Sequence, residues 1–336
     1  MMNRDAPHIS VVLPTYNRSE SLRRILSSLE RQTLPASRFE VIVVDDGSTD
    51  GTASVAGEFV SRGSLRVEYI RGAHEGPGAS RNRGVSRARG GIIAFIEDDV
   101  TPEPDWLARA EQYLQDPAIT GVEGKTIEEG SARSVRSFDP PEHLSFIPCN
   151  LFLRKEAFVA AGGYDPAFFN AAMGIYFRED IDLGFTLLER RNIIKKVDDV
   201  VVAHPPQFRS ANDILRHCRR FYFDPLLFRK HRRLFRSDLE TKHVGPLLVH
   251  RPFHYLSMFY LLQILIIFML VIADHMVVVS ASLPVLLVFV AGIRYRYRKA
   301  KLVSVLGGTL FLVLPCYYYY WLIRGCFAFR SWGVLY

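Results

Sequence analysis

Cysteine is scarce in this 336-residue chain, and its four copies are scattered. Cys149, Cys218, Cys316 and Cys326 form no C-x-x-C pair and no closely spaced framework, which excludes a structural zinc module and a disulfide scaffold. They read as packing thiols in a reducing compartment. Complete nucleotide fingerprints are missing too. Residues 121–126, GVEGKT, end like a P-loop, but the required first glycine would fall at Ile119 and the following Ile127 suits a strand. Residues 76–80, GPGAS, supply two glycines of a dinucleotide fingerprint, yet Arg81 stands at the third position and Pro77 stiffens the turn. Residues 1–8 are polar and lack the apolar core of a secretory leader.

Positive charge is present in excess and placed unevenly. The net charge is +7. Residues 209–251 hold eleven Lys/Arg against four Asp/Glu, and Arg294, Arg296, Arg298, Lys299 and Lys301 form a second cluster. Both flank apolar segments, so membrane lipids with anionic headgroups are the expected partner and nucleic acid is not. Three apolar runs, at about residues 255–273, 276–293 and 302–323, approach the ~20 residues needed to cross a bilayer. The positive-inside rule then predicts an integral membrane protein with its N-terminal domain on the cytoplasmic face. A third segment that re-enters or lies in the interface is the alternative.

Before residue 207 the pattern is alternating α/β. Apolar runs at 9–13, 39–44, 65–70, 92–96, 119–127 and 197–202 have strand length. Leu22, Ile25, Leu26 and Leu29 share a helical face behind an Asn17/Glu20 capping pair. A helix is expected over 177–191, opening on RED at 178–180. This order predicts a mostly parallel sheet flanked by helices.

Two of these strands end in acids: Asp45 and Asp46 after the second, Glu97, Asp98 and Asp99 after the fourth. Adjacent carboxylates repel and need a cation or hydrogen bonds. The C-terminal edge of an open α/β sheet is also where ligands bind. A hard metal on a diphosphate meets both conditions. A solvated acidic turn would explain either cluster alone; two on one edge argue for a site.

Six motifs in order extend that reading: PTYNR at 14–18, VVDDGSTDGT at 43–52, GPGASRNRG at 76–84, FIEDDVTPEPDWL at 95–107, GGYD at 162–165 and REDIDL at 178–183. Over roughly residues 9–206 the chain resembles the family 2 glycosyltransferases, inverting enzymes with the GT-A nucleotide-sugar-binding fold. The resemblance implies that Pro14 and Tyr16 line a base pocket and that Asp46 bonds the base or ribose. Asp45 points either there or into the sheet, and the sequence does not divide the pair. It places Arg81 as a cation near the donor, with Glu97 and Asp98 on the donor side. Asp99 and His204 become ligands of a divalent metal, Mg²⁺ or Mn²⁺. Asp180 takes the position of the general base, which removes a proton from the acceptor hydroxyl as it attacks the anomeric carbon. Glu179 and Asp182 fall on the acceptor side, where the helix macrodipole alone would also favour acids.

Two departures narrow the expected reaction. Residues 216–221, RHCRRF, lack the Gln and Trp of the QxxRW motif of processive synthases, which favours transfer of a single sugar. The acidic motif continues as VTPEPDWL rather than in the DADLQHPP manner of polyprenyl-phosphate sugar synthases. The sequence thus predicts a GT-A catalytic domain at 1–207, a basic interfacial linker at 208–254 and a membrane domain at 255–336. The expected activity moves one sugar from a nucleotide-sugar donor to a lipid-linked or other saccharide acceptor. A polyprenyl-phosphate glycosyltransferase and a non-catalytic nucleotide-sugar-binding scaffold are the alternatives.

Overall fold

A computed structural model describes residues 7–129, 145–205, 211–239, 242–244, 247–249, 251–272 and 305–335. The chain divides into two compact units, residues 1–137 with 141–205, and residues 138–140 with 206–336.

In the first unit, strands β1 (Ile9–Thr15), β2 (Phe39–Asp45), β3 (Val67–Arg71) and β4 (Ile92–Phe95) alternate with helices α1 (Ser19–Leu29), α2 (Thr52–Arg62) and α3 (Pro77–Arg87). There follow β5 (Thr101–Pro102), α4 (Trp106–Tyr113), β6 (Gly121–Glu128), β7 (Leu151–Arg154) and α5 (Lys155–Ala161). The short β8 (Phe169–Asn170) and β9 (Ile175–Tyr176) pair with each other ahead of α6 (Glu179–Glu189) and β10 (Ile194–His204). The other strands form one eight-stranded sheet in the order β3-β2-β1-β4-β7-β6-β10-β5.

The first four of these run parallel, as the alternating sequence predicts. Beyond β4 the sheet becomes mixed. Strand β7 runs against both β4 and β6, and β5 runs against β10. Strands β6 and β10 pair parallel to each other and run in the direction of β4, so the sheet is mostly parallel as expected and departs from it only at β7 and β5. Neither reversal leaves a mark on an apolar run.

Successive strand residues point to opposite faces, and both faces are covered. Val11, Leu13, Val41, Val43 and Ala94 pack with Leu22, Ile25 and Leu26 of α1 and Val55 and Phe59 of α2. Val12, Ile42, Val44, Ile93 and Phe95 pack with Val85, Phe158, Leu183 and Leu187. Burial on both sides explains why these strands read as unbroken apolar runs. Helix α3 lies close because Gly84 has no side chain: a Cβ there would sit 2.5 Å from Val12 Cγ1. Residues 77–84, whose proline and glycines suggest a turn, are themselves the first turns of α3.

The N-terminus of α1 also differs from expectation. Asn17 adopts φ 52° and its carboxamide oxygen accepts from the Thr49 amide and hydroxyl, not from the helix. The Ser19 amide donates instead to Asp50 across the β2–α2 turn.

The second unit corrects the membrane reading. Among the described residues no helix is long and apolar enough to cross a membrane, which overturns the expected integral membrane placement with a cytoplasmic-facing catalytic domain. The first expected span falls on helix Pro252–Ile272, which buries His254, Ser257 and Tyr260. The second, at 276–293, lies outside the described residues. Most of the third falls within helix Val305–Phe329, which contains Pro315 and buries Leu314, Tyr318, Leu322 and Cys326. That helix packs on the helices Ala211–Arg219 and Asp224–Lys230 of the basic stretch. Phe221, Tyr222 and Phe223, within the stretch expected as an interfacial linker, are buried there too, at 3, 8 and 1% exposure. Apolarity that suggested lipid contact is spent partly on packing within the unit.

Candidate active site

Parallel pairing brings the C-terminal ends of β1, β2 and β4 to one edge, with Thr15 opposite Asp45. The residues following β4 and the end of β10 complete that edge.

Asp45 and Asp46 separate by role. Asp45 is fully buried; its carboxylate accepts from the Tyr69 hydroxyl at 2.6 Å and the Ser48 amide at 2.8 Å. Asp46 accepts from the amides of Glu75 and Gly76, both at 2.9 Å, and so fixes the entry to α3. His74 Nδ1 lies 3.5 Å from Asp46 Oδ2, and the His74 ring stacks on Tyr16 with centroids 4.3 Å apart. Tyr16 and His74 are both exposed beside Asp46, while Pro14 lies buried in β1.

The three acids after β4 face three environments. Asp98 is buried; Oδ2 accepts from the Thr15 hydroxyl at 2.7 Å and Oδ1 from Arg18 at 2.8 Å. Burial outweighs Arg18 and lifts its carboxyl to about 6. Asp99 Oδ2 accepts from the same Arg18 nitrogen at 2.7 Å. Its other oxygen, Oδ1, is buried without a hydrogen-bond partner and lies 3.7 Å from His204 Nε2. Glu97 turns aside to Arg81 at 3.0 Å.

Arg81 sits in α3 at 2% exposure, between Glu97 and Glu179, the latter at 3.7 Å. Its guanidinium lies over the Tyr164 ring, and its Nε and Nη1 make no hydrogen bond. The Tyr164 hydroxyl is likewise buried without a hydrogen-bond partner; burial pushes it well above the usual tyrosine range, and it feels the charges of Arg81, Asp180, Glu179 and Glu97. Helix α6 begins after Arg178 at φ 75°, which turns Asp180 to a half-buried position where Oδ1 accepts from the Ile181 amide at 2.8 Å. Glu179 and Asp182 are buried.

Glu97, Asp99 and His204 each offer a ligand atom, all within 4.8 Å of one another. His204 Nδ1 lies 2.5 Å from the Pro205 carbonyl oxygen, which can only accept, so Nδ1 carries a proton; in the neutral ring Nε2 then offers its lone pair toward Asp99. Two carboxylates, an acceptor imidazole nitrogen and an orphaned carboxylate oxygen fit a divalent cation, and ligating imidazoles are commonly oriented in this way. Thr15, Arg18, His74 and Tyr164 also reach the site. Sequence reasoning gave them no role, because each is fixed by a partner distant in the chain.

A helix-flanked mixed sheet with acids gathered at its C-terminal edge fits a GT-A domain. Residues 10–180 match the family Glycosyl transferase family 2, about half of the chain, and the protein belongs to that family. It is similar to glycosyltransferase AglE of Haloferax volcanii, 28% identical over 205 residues that cover 57% of this chain and 67% of AglE. The putative glycosyltransferase EpsH of Bacillus subtilis is 37% identical over 148 residues, which span only 42% of its length and 41% of this chain. Among solved structures, a mannosyltransferase of Pyrobaculum calidifontis in complex with GDP-Man and Mn²⁺ shares the fold at TM-score 0.55 and 19% identity, over 96% of this chain and 85% of that one. The protein is a glycosyltransferase, and its family relatives support sugar transfer from nucleotide-sugar donors.

Proposed function

We propose that the protein is a metal-dependent, inverting glycosyltransferase that moves one sugar from a nucleotide-sugar to a saccharide hydroxyl, with Asp180 as general base. The observation that carries this reading is the convergence of Glu97, Asp99 and His204 around the orphaned Asp99 Oδ1. Tyr16 offers the base a ring, with His74 and Asp46 beside it, and Asp45 acts as scaffold. Asp98, oriented by Thr15, accepts from the ribose. A bound Mg²⁺ or Mn²⁺ supplies neutralisation of the charge that develops on the departing diphosphate.

On the acceptor side, Asp180 sits in the first turn of α6 with one oxygen held by the Ile181 amide. The other oxygen is then available to take the acceptor proton. Attack opposite the leaving group inverts the anomeric carbon. Arg81, between Glu97 and Glu179, keeps those two acids from repelling each other and holds both in place. Asp182, two residues further along α6 and buried, supports the acceptor wall. Among the described residues no helix is long and apolar enough to cross a membrane, so both a water-soluble saccharide and a lipid-linked one are acceptors to offer in the transfer assay.

The test is thermal shift across a panel of donors, with and without Mn²⁺, followed by transfer assays on the donor that binds. Ligand at 100 times its Kd stabilises by about 2.7 kcal/mol. One donor is expected to stabilise wild type only with metal, the shift disappearing in Asp99→Ala. Asp180→Asn is expected to keep that shift and lose about 100-fold or more in kcat. Full transfer activity in Asp180→Asn would refute the base assignment.

A further inference from the structure

Arg18 is the one basic side chain that touches both Asp98 and Asp99 among the described residues. Its Nη1 donates to Asp98 Oδ1 at 2.8 Å and to Asp99 Oδ2 at 2.7 Å, so a single nitrogen serves two acids. The side chain is 51% exposed, and its Nε and Nη2 make no hydrogen bond among the described residues. Two donor nitrogens on this half-exposed side chain therefore remain without a protein hydrogen bond among the described residues.

We propose that Arg18 makes metal binding and diphosphate binding interdependent, as a resident counter-cation of the acid pair. The proposal rests on the metal reading of Glu97, Asp99 and His204. The two oxygens of Asp99 are divided between Arg18, on Oδ2, and the side of His204, on Oδ1. A divalent ion held there would share one carboxylate with a guanidinium. Ordinary hydrogen-bond and metal–ligand lengths put the two cations on the order of 5 Å apart, close enough to repel. Arg18 therefore weakens the binding of metal alone.

A diphosphate reverses the balance. It brings negative charge to both cations at once, and the unused Nε–Nη2 edge of Arg18 matches the paired oxygens of a phosphate. Donor then tightens metal by the same factor by which metal tightens donor. The arrangement disfavours metal held without substrate. Arg18 reaches this position because β1 and β4 are parallel neighbours, so the turn after β1 lies beside the acids after β4.

The experiment measures Mn²⁺ binding to the full chain by the paramagnetic resonance of free Mn²⁺, alone and with UDP or GDP, with protein-free controls for the Mn²⁺–nucleotide complex. Wild type, Arg18→Gln, Arg18→Lys and Asp99→Asn are compared. Nucleotide is expected to tighten Mn²⁺ more than about tenfold in wild type, tenfold being about 1.4 kcal/mol. Arg18→Gln is expected to bind Mn²⁺ alone about tenfold more tightly than wild type and to gain less than about threefold from nucleotide. Arg18→Lys, which keeps the charge, stays near wild type for Mn²⁺ alone. Unchanged or weaker Mn²⁺ binding in Arg18→Gln, with binding abolished in Asp99→Asn, overturns the role of Arg18 and leaves the metal site standing. No Mn²⁺ binding by wild type in either condition overturns both.

Discussion

Replacing Arg81 by methionine tests whether the acids around the site are held by one buried cation. Arg81 is 2% exposed, with Nη2 at 3.0 Å from Glu97 and Nη1 at 3.7 Å from Glu179. Methionine keeps much of the apolar stem, so little volume is lost and the effect isolates the charge. Removing one partner of a buried ion pair costs about 3–5 kcal/mol, because the remaining charge stays desolvated. Glu179 is nearly as buried as Arg81, whereas the Glu97 side chain is 31% exposed and can be solvated. The lower end, about 3 kcal/mol, is therefore expected. In a unit of roughly 200 residues that lowers Tm by about 6–12 °C. Urea unfolding followed by circular dichroism gives the free energy directly, and Glu179→Gln in the Arg81→Met background is expected to restore at least half of it. A loss below about 1 kcal/mol in the single variant would refute the reasoning. So would a further loss in the double variant, since the acid would then not be the destabilising group.

Two further outcomes follow from contacts outside the acid cluster. Gly84→Ala gains about 1 kcal/mol of helix propensity, but its Cβ would lie 2.5 Å from Val12 Cγ1 and 3.2 Å from Val44 Cγ2. Overpacking of about 1–3 kcal/mol should win, and an equally or more stable variant by urea titration would show that α3 can lift without cost. Asp50 accepts from the Thr52 hydroxyl and amide and from the Ser19 amide, which together hold its carboxyl down at about 2. A depressed folded value means that its contribution is complete above the unfolded value near 4 and is lost as pH falls through about 2. Asp50 is exposed and solvent screens much of that effect, so Asp50→Ala should cost no more than about 1 kcal/mol at neutral pH and almost nothing at pH 2, measured as Tm against pH. A pH-independent loss would assign the effect to packing instead.

Much of the first unit was legible because its signals are local. Strands β1, β2 and β4 fall where unbroken apolar runs place them, and α1 and α6 where periodicity does. The reversal at β7 was not legible, since Leu151–Arg154 reads the same whether its neighbours are parallel or antiparallel. The membrane expectation failed for a related reason. Hydropathy counts apolar residues without seeing what covers them, and helix Val305–Phe329 turns Leu314, Tyr318, Leu322 and Cys326 into its own unit. The acids of the site stood out as adjacent letters, the motif order drew attention to Arg81, and the family resemblance drew attention to His204.

Their counter-charges were harder to find. Glu97, Asp98 and Asp99 are consecutive, but the arginines that balance them come from the turn after β1 and from the middle of α3. No window on the sequence contains Arg18 and Asp99 together. What joins them is the parallel pairing of β1 with β4, which sets two strand ends side by side whatever their separation in the chain. The same pairing explains why three acids in a row are tolerable. Each has a partner of its own besides the shared Arg18: Glu97 is turned to Arg81, Asp98 to Thr15 and Arg18, Asp99 to Arg18 and His204. Within that division only Asp99 Oδ1 is left without a hydrogen bond while being buried, and that is the oxygen facing His204. A purely structural acidic turn would have no reason to bury an unpaired carboxylate oxygen, because leaving it in water costs less. Glu97 and His204 each offer a ligand atom close to that oxygen, an arrangement that fits a divalent cation.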